Sequence, residues 1–578
     1  MVCRTKGFIF CSLLPAVACL MFWTPPLVAQ EGTAVPKFGA AKEVPEKGYP
    51  IKDELIVSKC GRCHLQDAKG NMGRLSYLRT TPEGWEESMK RMIRLNGLQI
   101  TPEEARKVLR YLADNQGLAP EEAAKIQYFN ERRIQDETIL PEKIEDVQHA
   151  CASCHAFAKP LSWRRTPKEW DYLKAMHQAF FPSIDPSFSR QGRRVEGTEP
   201  KPEPVDVALD YIKKTAPLET TEWANWQGSV HTPKLAGEWL VTGYQPGKGK
   251  FYGKMTIAAG DGGMFSTKTG LTYANGAKFE EAGTALVYTG YAWRGHSKPA
   301  TPGTDVDAPN NVREVMMLSR DENELKGRWF WGVYQEFGME VTMHRAGTGG
   351  ALMGTDIWSL KAGSSGDTLH IYGANLPQGI TVADVDLGAG VTVSKVETST
   401  PDTITVTASV DKAAIPGQRL IAVKGMTLPN AFVVYDHLDF LKVTPDTPMA
   451  RLGSEPHAKG YAQCEAIAYS FGADGKPNTA DDLALGPVPA KWSIEEFVAS
   501  YGDDDIEFVG KMDEKTGLFT PASDGPNPKR KSMRNNYGDV WAVASYKPEG
   551  ADKPMTGRAY MIVAVPEYMQ WDQPEVGQ

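Results

Sequence analysis

The chain has no excess of basic charge: its 578 residues carry 64 Lys and Arg against 72 Asp and Glu, a formal net charge of -8. Nucleic-acid binding needs a basic patch, so no nucleic-acid partner is expected. Beyond the first 29 residues no window holds 18 uninterrupted apolar residues, which leaves no membrane span to expect in the mature chain. There is no phosphate-binding glycine loop, no Gly-x-Ser-x-Gly elbow and no His-Glu-x-x-His, so three common catalytic devices are missing. Cysteine is sparse, eight in all, and its placement carries most of the information in the sequence.

Three of those cysteines, Cys3, Cys11 and Cys19, fall in a stretch laid out as a signal peptide over residues 1–29. Arg4 and Lys6 precede an apolar run from Gly7 to Trp23, and Pro25-Pro26 lead to a small residue near Ala29. The expectation is export, in a bacterium to the periplasm. Four more cysteines form two pentapeptides, Cys60-Gly61-Arg62-Cys63-His64 and Cys151-Ala152-Ser153-Cys154-His155. Each is an attachment site for a c-type haem: two thiols add to the vinyl groups of one porphyrin while the adjacent imidazole reaches its iron. A zinc site would need four ligands closing a tetrahedron. Export, the histidine in the same place twice and the repeat around the motifs favour haem. Cys464 is left without a partner in the chain and reads as a buried, inert thiol.

From about Pro50 to Thr215 the pattern is helical, and it repeats. Arg79-Thr80-Thr81-Pro82-Glu83-Gly84-Trp85 recurs as Arg164-Arg165-Thr166-Pro167-Lys168-Glu169-Trp170 at an offset of 85. In both copies Thr is a natural N-cap and Pro suits the first turn, which predicts a helix after Thr81 and after Thr166. Closing helices are expected over Glu103 to Leu112 and Val205 to Ile212. This is the layout of two fused small cytochromes c. Seven residues after each repeat tryptophan stand Met92 and His177, a thioether and an imidazole, the two side chains that commonly complete a low-spin haem. The expected irons are therefore His64/Met92 and His155/His177. Met72, Met89, Met176 and His149 remain rivals, since a helical methionine is often core. Methionine favours ferrous iron more than histidine does, so electrons should run from the second haem to the first.

After Thr220 the grammar changes to glycine-punctuated alternation. Strands are expected over Gly237 to Tyr244, Phe251 to Ile257, Thr284 to Tyr291, Val312 to Leu318, Leu325 to Tyr334 and Met339 to His344, closing an antiparallel β-barrel with a filled core within 221–350. Short strands at Leu369 to Gly373, Val391 to Val396, Thr403 to Thr407 and Ala431 to Tyr435 suggest an Ig-like β-sandwich at 351–436. A second Ig-like β domain with a C-terminal tail is expected at 437–578, including an amphipathic stretch from Ser493 to Tyr501. The expected fold is thus multidomain: an all-α dihaem cytochrome c domain at 30–220 followed by all-β domains. The oxygen-rich segment Asp474 to Asp482 misses the EF-hand spacing and reads as a solvated turn ahead of a calcium loop.

Two haem repeats with Trp85 to Met92 and Trp170 to His177, followed by a barrel and two Ig-like units, resemble the α subunit of quinohaemoprotein amine dehydrogenases. The resemblance implies two covalently bound haems c and no catalytic residue in this chain. It also implies a β-propeller subunit, a small subunit bearing the cysteine tryptophylquinone that oxidises primary amines, and a soluble acceptor, a blue copper protein or a cytochrome c. Two other classes stay open: an independent dihaem enzyme such as a peroxidase that opens one site by releasing a histidine, and a free-standing electron shuttle.

Overall fold

The computed structural model describes residues 46–126, 147, 151, 157–181, 204–304, 306, 311–498 and 503–566. The expected signal peptide, His149, Cys154 and His155 lie outside them. Among the described residues no helix is long and apolar enough to cross a membrane.

The helices begin where the capping chemistry dictates. Asp53 accepts from the Ile56 amide at 2.9 Å and starts α1 (Glu54–Cys60). Thr81 accepts from Gly84 at 3.2 Å and starts α2 (Pro82–Asn96), which stops at Gly97 in the left-handed region, φ 69°. A full capping box of Thr101 and Glu104 opens α3 (Pro102–Asn115). In the second repeat Thr166 repeats the Thr81 device ahead of the Pro167–Phe180 helix, and the closing helix runs Pro204–Thr215. Trp85 and Trp170, each 1% exposed, anchor the two copies identically. The Trp85 indole donates to the Gln116 carbonyl at 3.0 Å and the Trp170 indole to Ala216 at 3.2 Å, each acceptor lying just past its repeat's closing helix.

The expectation of an all-α first domain does not hold. Leu78–Thr80 (β1) pairs antiparallel with Trp163–Arg165 (β2), and all six residues are buried. The physical reason lies in the backbone. Each repeat brings three extended residues to its Thr N-cap, and once buried their amides and carbonyls need partners that no helix supplies. The two copies supply each other. The register sets Arg79 opposite Arg164, its own equivalent 85 residues on, so a local two-fold axis passes through the ribbon. Among the described residues strand outweighs helix.

Eight strands then close an antiparallel barrel in chain order, the last pairing with the first. They are β3 (Gly237–Gln245), β4 (Gly249–Ala259), β5 (Met264–Tyr273), β6 (Lys278–Tyr288), β7 (Ala292–Pro299), β8 (Val312–Leu318), β9 (Glu324–Trp331) and β10 (Phe337–Arg345). The interior follows the period of two: Phe265, Thr267, Thr269, Leu271 and Tyr273 of β5 are buried while the residues between are exposed or partly so. Trp239, Phe251, Met255, Trp293, Met316 and Trp329, none measurably exposed, occupy that interior. Gly253 is required there, because a Cβ on it would lie 2.0 Å from the Gly270 carbonyl oxygen.

Two four-stranded sheets follow. One joins Ala351–Thr355, Ser365–Ala374, Thr403–Val410 and Val391–Ser399; the other joins Ser359–Lys361, Met426–Tyr435, Gly417–Val423 and Val385–Asp386. The last region holds a four-stranded sheet, built on Gly538–Tyr546 and Met555–Ala564, and two three-stranded ones. Its Lys491–Glu496 strand takes up the start of the amphipathic stretch at Ser493, pairing with Gly538–Tyr546. Cys464, 1% exposed, lies in that core.

Candidate functional site

The first pentapeptide sits at the end of α1. Cys60 is its last residue, and the turn that follows is closed by the Cys63 and His64 amides, both donating to the Cys60 carbonyl at 3.1 and 2.9 Å. Cys60 is half-buried and Cys63 exposed, both as free thiols. Burial first, and then Cys63, pushes the Cys60 thiol up. His64 places Nδ1 2.8 Å from the Gly73 carbonyl oxygen. A carbonyl can only accept, so Nδ1 carries the proton and Nε2 is the bare nitrogen, the one a metal takes. His177 repeats this: its Nδ1 lies 2.9 Å from the Leu173 carbonyl oxygen, one turn back on its helix.

The rival methionines separate by burial. Met72 is fully buried and Met89 9% exposed, both in the main core. Met92 is half-buried near the end of α2, where its carbonyl accepts from Gly97 and Leu98. On the second repeat both Met176 and His177 are half-buried. Cys151 is half-buried too, and burial pushes its thiol up to about 12. Around these positions lie large apolar side chains that the protein leaves uncovered: Leu65 at 74%, Leu95 at 70%, Phe180 at 74% and Phe181 at 51% exposed. Leu95 and Phe180 are again equivalents 85 residues apart. Two free thiols on one turn, an imidazole with a bare Nε2 and uncovered apolar side chains beside them fit a covalently attached porphyrin.

Sequence reasoning missed the seam between the repeats. Glu122, buried, accepts from Arg79 Nη1 at 3.0 Å and Nη2 at 3.1 Å, from Arg164 Nε at 3.0 Å, from Thr220 Oγ1 at 2.9 Å and from the Ala119 amide at 2.8 Å. Burial alone would raise its carboxyl, but the Arg79 and Arg164 guanidiniums override that and hold it down to about 2. The signal was present in the repeat, since the two arginines are equivalents, but nothing marked Glu122 as their shared partner. A second buried pair, Glu83 of α2 with Arg294 of β7, ties the first repeat to the barrel. The Asp474 to Asp482 segment spends its carboxylates on itself: Asp474 accepts from the Lys476 amide at 2.8 Å and Asp482 from the Thr479 amide at 2.9 Å.

Four family models match the chain. They are the haem-binding model of quinohemoprotein amine dehydrogenase A, alpha subunit, at residues 51–198, and the models of quinohemoprotein amine dehydrogenase alpha subunit domains II, III and IV, at 232–346, 358–436 and 441–576. No curated protein matches the sequence. Among solved structures the chain is similar to a redesigned β-barrel, mFAP0, bound to DFHBI, at 15% identity over 19% of this chain and 98% of that one, TM-score 0.16. It is also similar to the tandem Ig repeats of Dlar, at 10% identity over 38% and 98%, TM-score 0.13. Drosophila N-cadherin EC1-4 is similar at 10% identity over 58% and 94%, TM-score 0.15. Structural likenesses at this level carry no argument.

Proposed function

Because the chain belongs to the quinohemoprotein amine dehydrogenase α-subunit family, we propose that it relays electrons from a cysteine tryptophylquinone in a partner subunit, through two haems c, to a soluble acceptor. The family is a haem-binding subunit of an amine-oxidising oxidoreductase, so the chain works with partner subunits. On this reading the small quinone-bearing subunit oxidises the primary amine, a β-propeller subunit completes the assembly, and a blue copper protein or a cytochrome c takes the electrons in the periplasm.

One observation carries the reading: the matched haem-binding segment, 51–198, encloses both Cys-x-x-Cys-His pentapeptides and both repeat helices. A bound haem supplies a one-electron iron couple. The chain supplies the attachment and the ligands. Cys60 and Cys63 anchor the first porphyrin and Cys151 and Cys154 the second. His64, held by the Gly73 carbonyl with Nε2 free, and Met92, the less buried of the first repeat's candidate methionines, would ligate the first iron. His177, oriented by the Leu173 carbonyl, would ligate the second iron together with His155. Purification of the intact assembly followed by addition of a primary amine tests the proposal. Co-purification of a quinone-bearing polypeptide and amine-dependent reduction of the haems are expected; haems that stay oxidised under amine refute it.

A further inference from the structure

Two carboxylates stand inside the barrel where packing gives no reason for them. Glu281 of β6 and Glu314 of β8 are 4% and 1% exposed, on the inward face that also carries Trp293 and Met316. Ser297 of β7 lies between them. Its hydroxyl donates to Glu281 Oε2 at 2.7 Å, while the Trp293 indole donates to Glu314 Oε2 at 2.7 Å. One oxygen of each carboxylate, Oε1, has no partner. Thr269, 6% exposed and the register partner of Glu281 on β5, adds a third buried oxygen without one.

Two buried carboxylates this close are costly unless something positive neutralises them. Burial pushes both carboxyls above the usual range, and for Glu281 the neighbouring Glu314 adds to it; neither is drawn down by a lysine or an arginine. Unpartnered oxygens on three side chains of one interior patch offer a seat to a cation that displaces the protons these raised carboxyls otherwise hold. We propose that Glu281, Glu314, Thr269 and Ser297 bind a hard divalent cation of the calcium class inside the barrel. Every donor is oxygen, with no imidazole or thiolate to select zinc or copper. The two negative charges match a divalent ion, and calcium accepts mixed carboxylate and hydroxyl sets of loose geometry where magnesium insists on its waters. The consequence reaches the haem region, because Trp293 faces Glu314 while the next residue, Arg294, holds Glu83 of α2. The bound ion fixes the strand from which the first repeat is braced.

The intact assembly, dialysed against a calcium chelator and then supplied with calcium chloride, tests this by elemental analysis and by its unfolding temperature. About one calcium per chain is expected, with a saturable rise in unfolding temperature that magnesium chloride does not reproduce. E281Q and E314Q should lose both the ion and the rise. T269V removes a hydroxyl that has no partner in the protein, so it should fold as well as the wild type while binding calcium several-fold more weakly. A wild type free of calcium whose unfolding ignores the added salt overturns the proposal, and so does calcium that persists in E281Q and E314Q.

Discussion

Replacing Glu122 by Gln tests the seam that joins the two repeats. The carboxylate gathers two guanidiniums, a hydroxyl and an amide, and its residue is 8% exposed. Gln keeps the shape and one acceptor oxygen but loses the charge and turns an NH2 toward arginines that can only donate. The carboxyl's fall from 4.5 to about 2 on folding corresponds to about 3 kcal/mol of stability at neutral pH. Because the folded value is depressed, that contribution is complete above pH 4.5 and drains away as the pH falls toward 2. For a region of this size about 3 kcal/mol lowers the unfolding midpoint by roughly 6–12 °C. Soret absorbance follows the haem region without interference from the β domains. At pH 7 the E122Q midpoint should lie below the wild type by that amount, and the two should converge as the solution is acidified. Equal midpoints at pH 7, or a gap that does not close with acid, would refute the account of the seam.

Met92→Ala should abolish a methionine-to-iron absorption band and lower one haem potential while the other stays put; if neither haem changes, Met72 becomes the ligand to test. His177→Ala should perturb the other haem alone, read by the same redox titration with separate spectra. Arg294→Met leaves Glu83, 3% exposed, without its partner, and the haem region should lose about 3–5 kcal/mol, measured as a lowered thermal midpoint. Cys464, whose thiol burial pushes up to about 12, should resist a thiol reagent in the native protein and react after denaturation.

Legibility in the sequence followed the strength of local rules. Thr-Pro marks both repeat helices because cap and first turn are set by two adjacent residues, so α2 and the Pro167–Phe180 helix start where they were expected. The barrel was visible from six strands, and β8 runs over Val312–Leu318 as read. Strands β5 and β7 went unread. In β5, Thr267 and Thr269 stand at buried positions, and in β7, Ala292, Trp293, Arg294 and Gly295 are buried in a row, which erases the alternation. The ribbon was invisible for a different reason: three residues per strand offer no period, and their pairing is decided by a partner 85 residues away. Ion pairs such as Glu122 with Arg79 and Arg164, or Glu83 with Arg294, are long-range by nature. Burial turned them from ordinary charges into structural ones, and nothing in sequence spacing announces burial of a charge.

The two repeats share their Thr-Pro cap and tryptophan yet are unequal in support. The first repeat is bolted to the barrel along its length. Glu83 meets Arg294, the Arg110 guanidinium donates to the Gly262 carbonyl at 2.7 Å, Thr289 donates to the Ala113 carbonyl at 2.9 Å and Asp114 at 2.6 Å, and the Tyr291 hydroxyl donates to the Leu118 carbonyl at 3.0 Å. The second repeat's described links run inward instead: Lys213 to Asp171 at 2.6 Å and Lys174 to Asp206 within the repeat, Arg74 to Glu169 at 2.8 Å and the ribbon toward the first. The barrel thus serves as the foundation of the first repeat, and the second is carried by the first through β1, β2 and the two arginines on Glu122. A two-fold ribbon is an economical joint for this task, because it places equivalent arginines face to face, where one carboxylate can neutralise both. The helices that follow Thr81 and Thr166, alike in their caps, thus stand on unequal scaffolds.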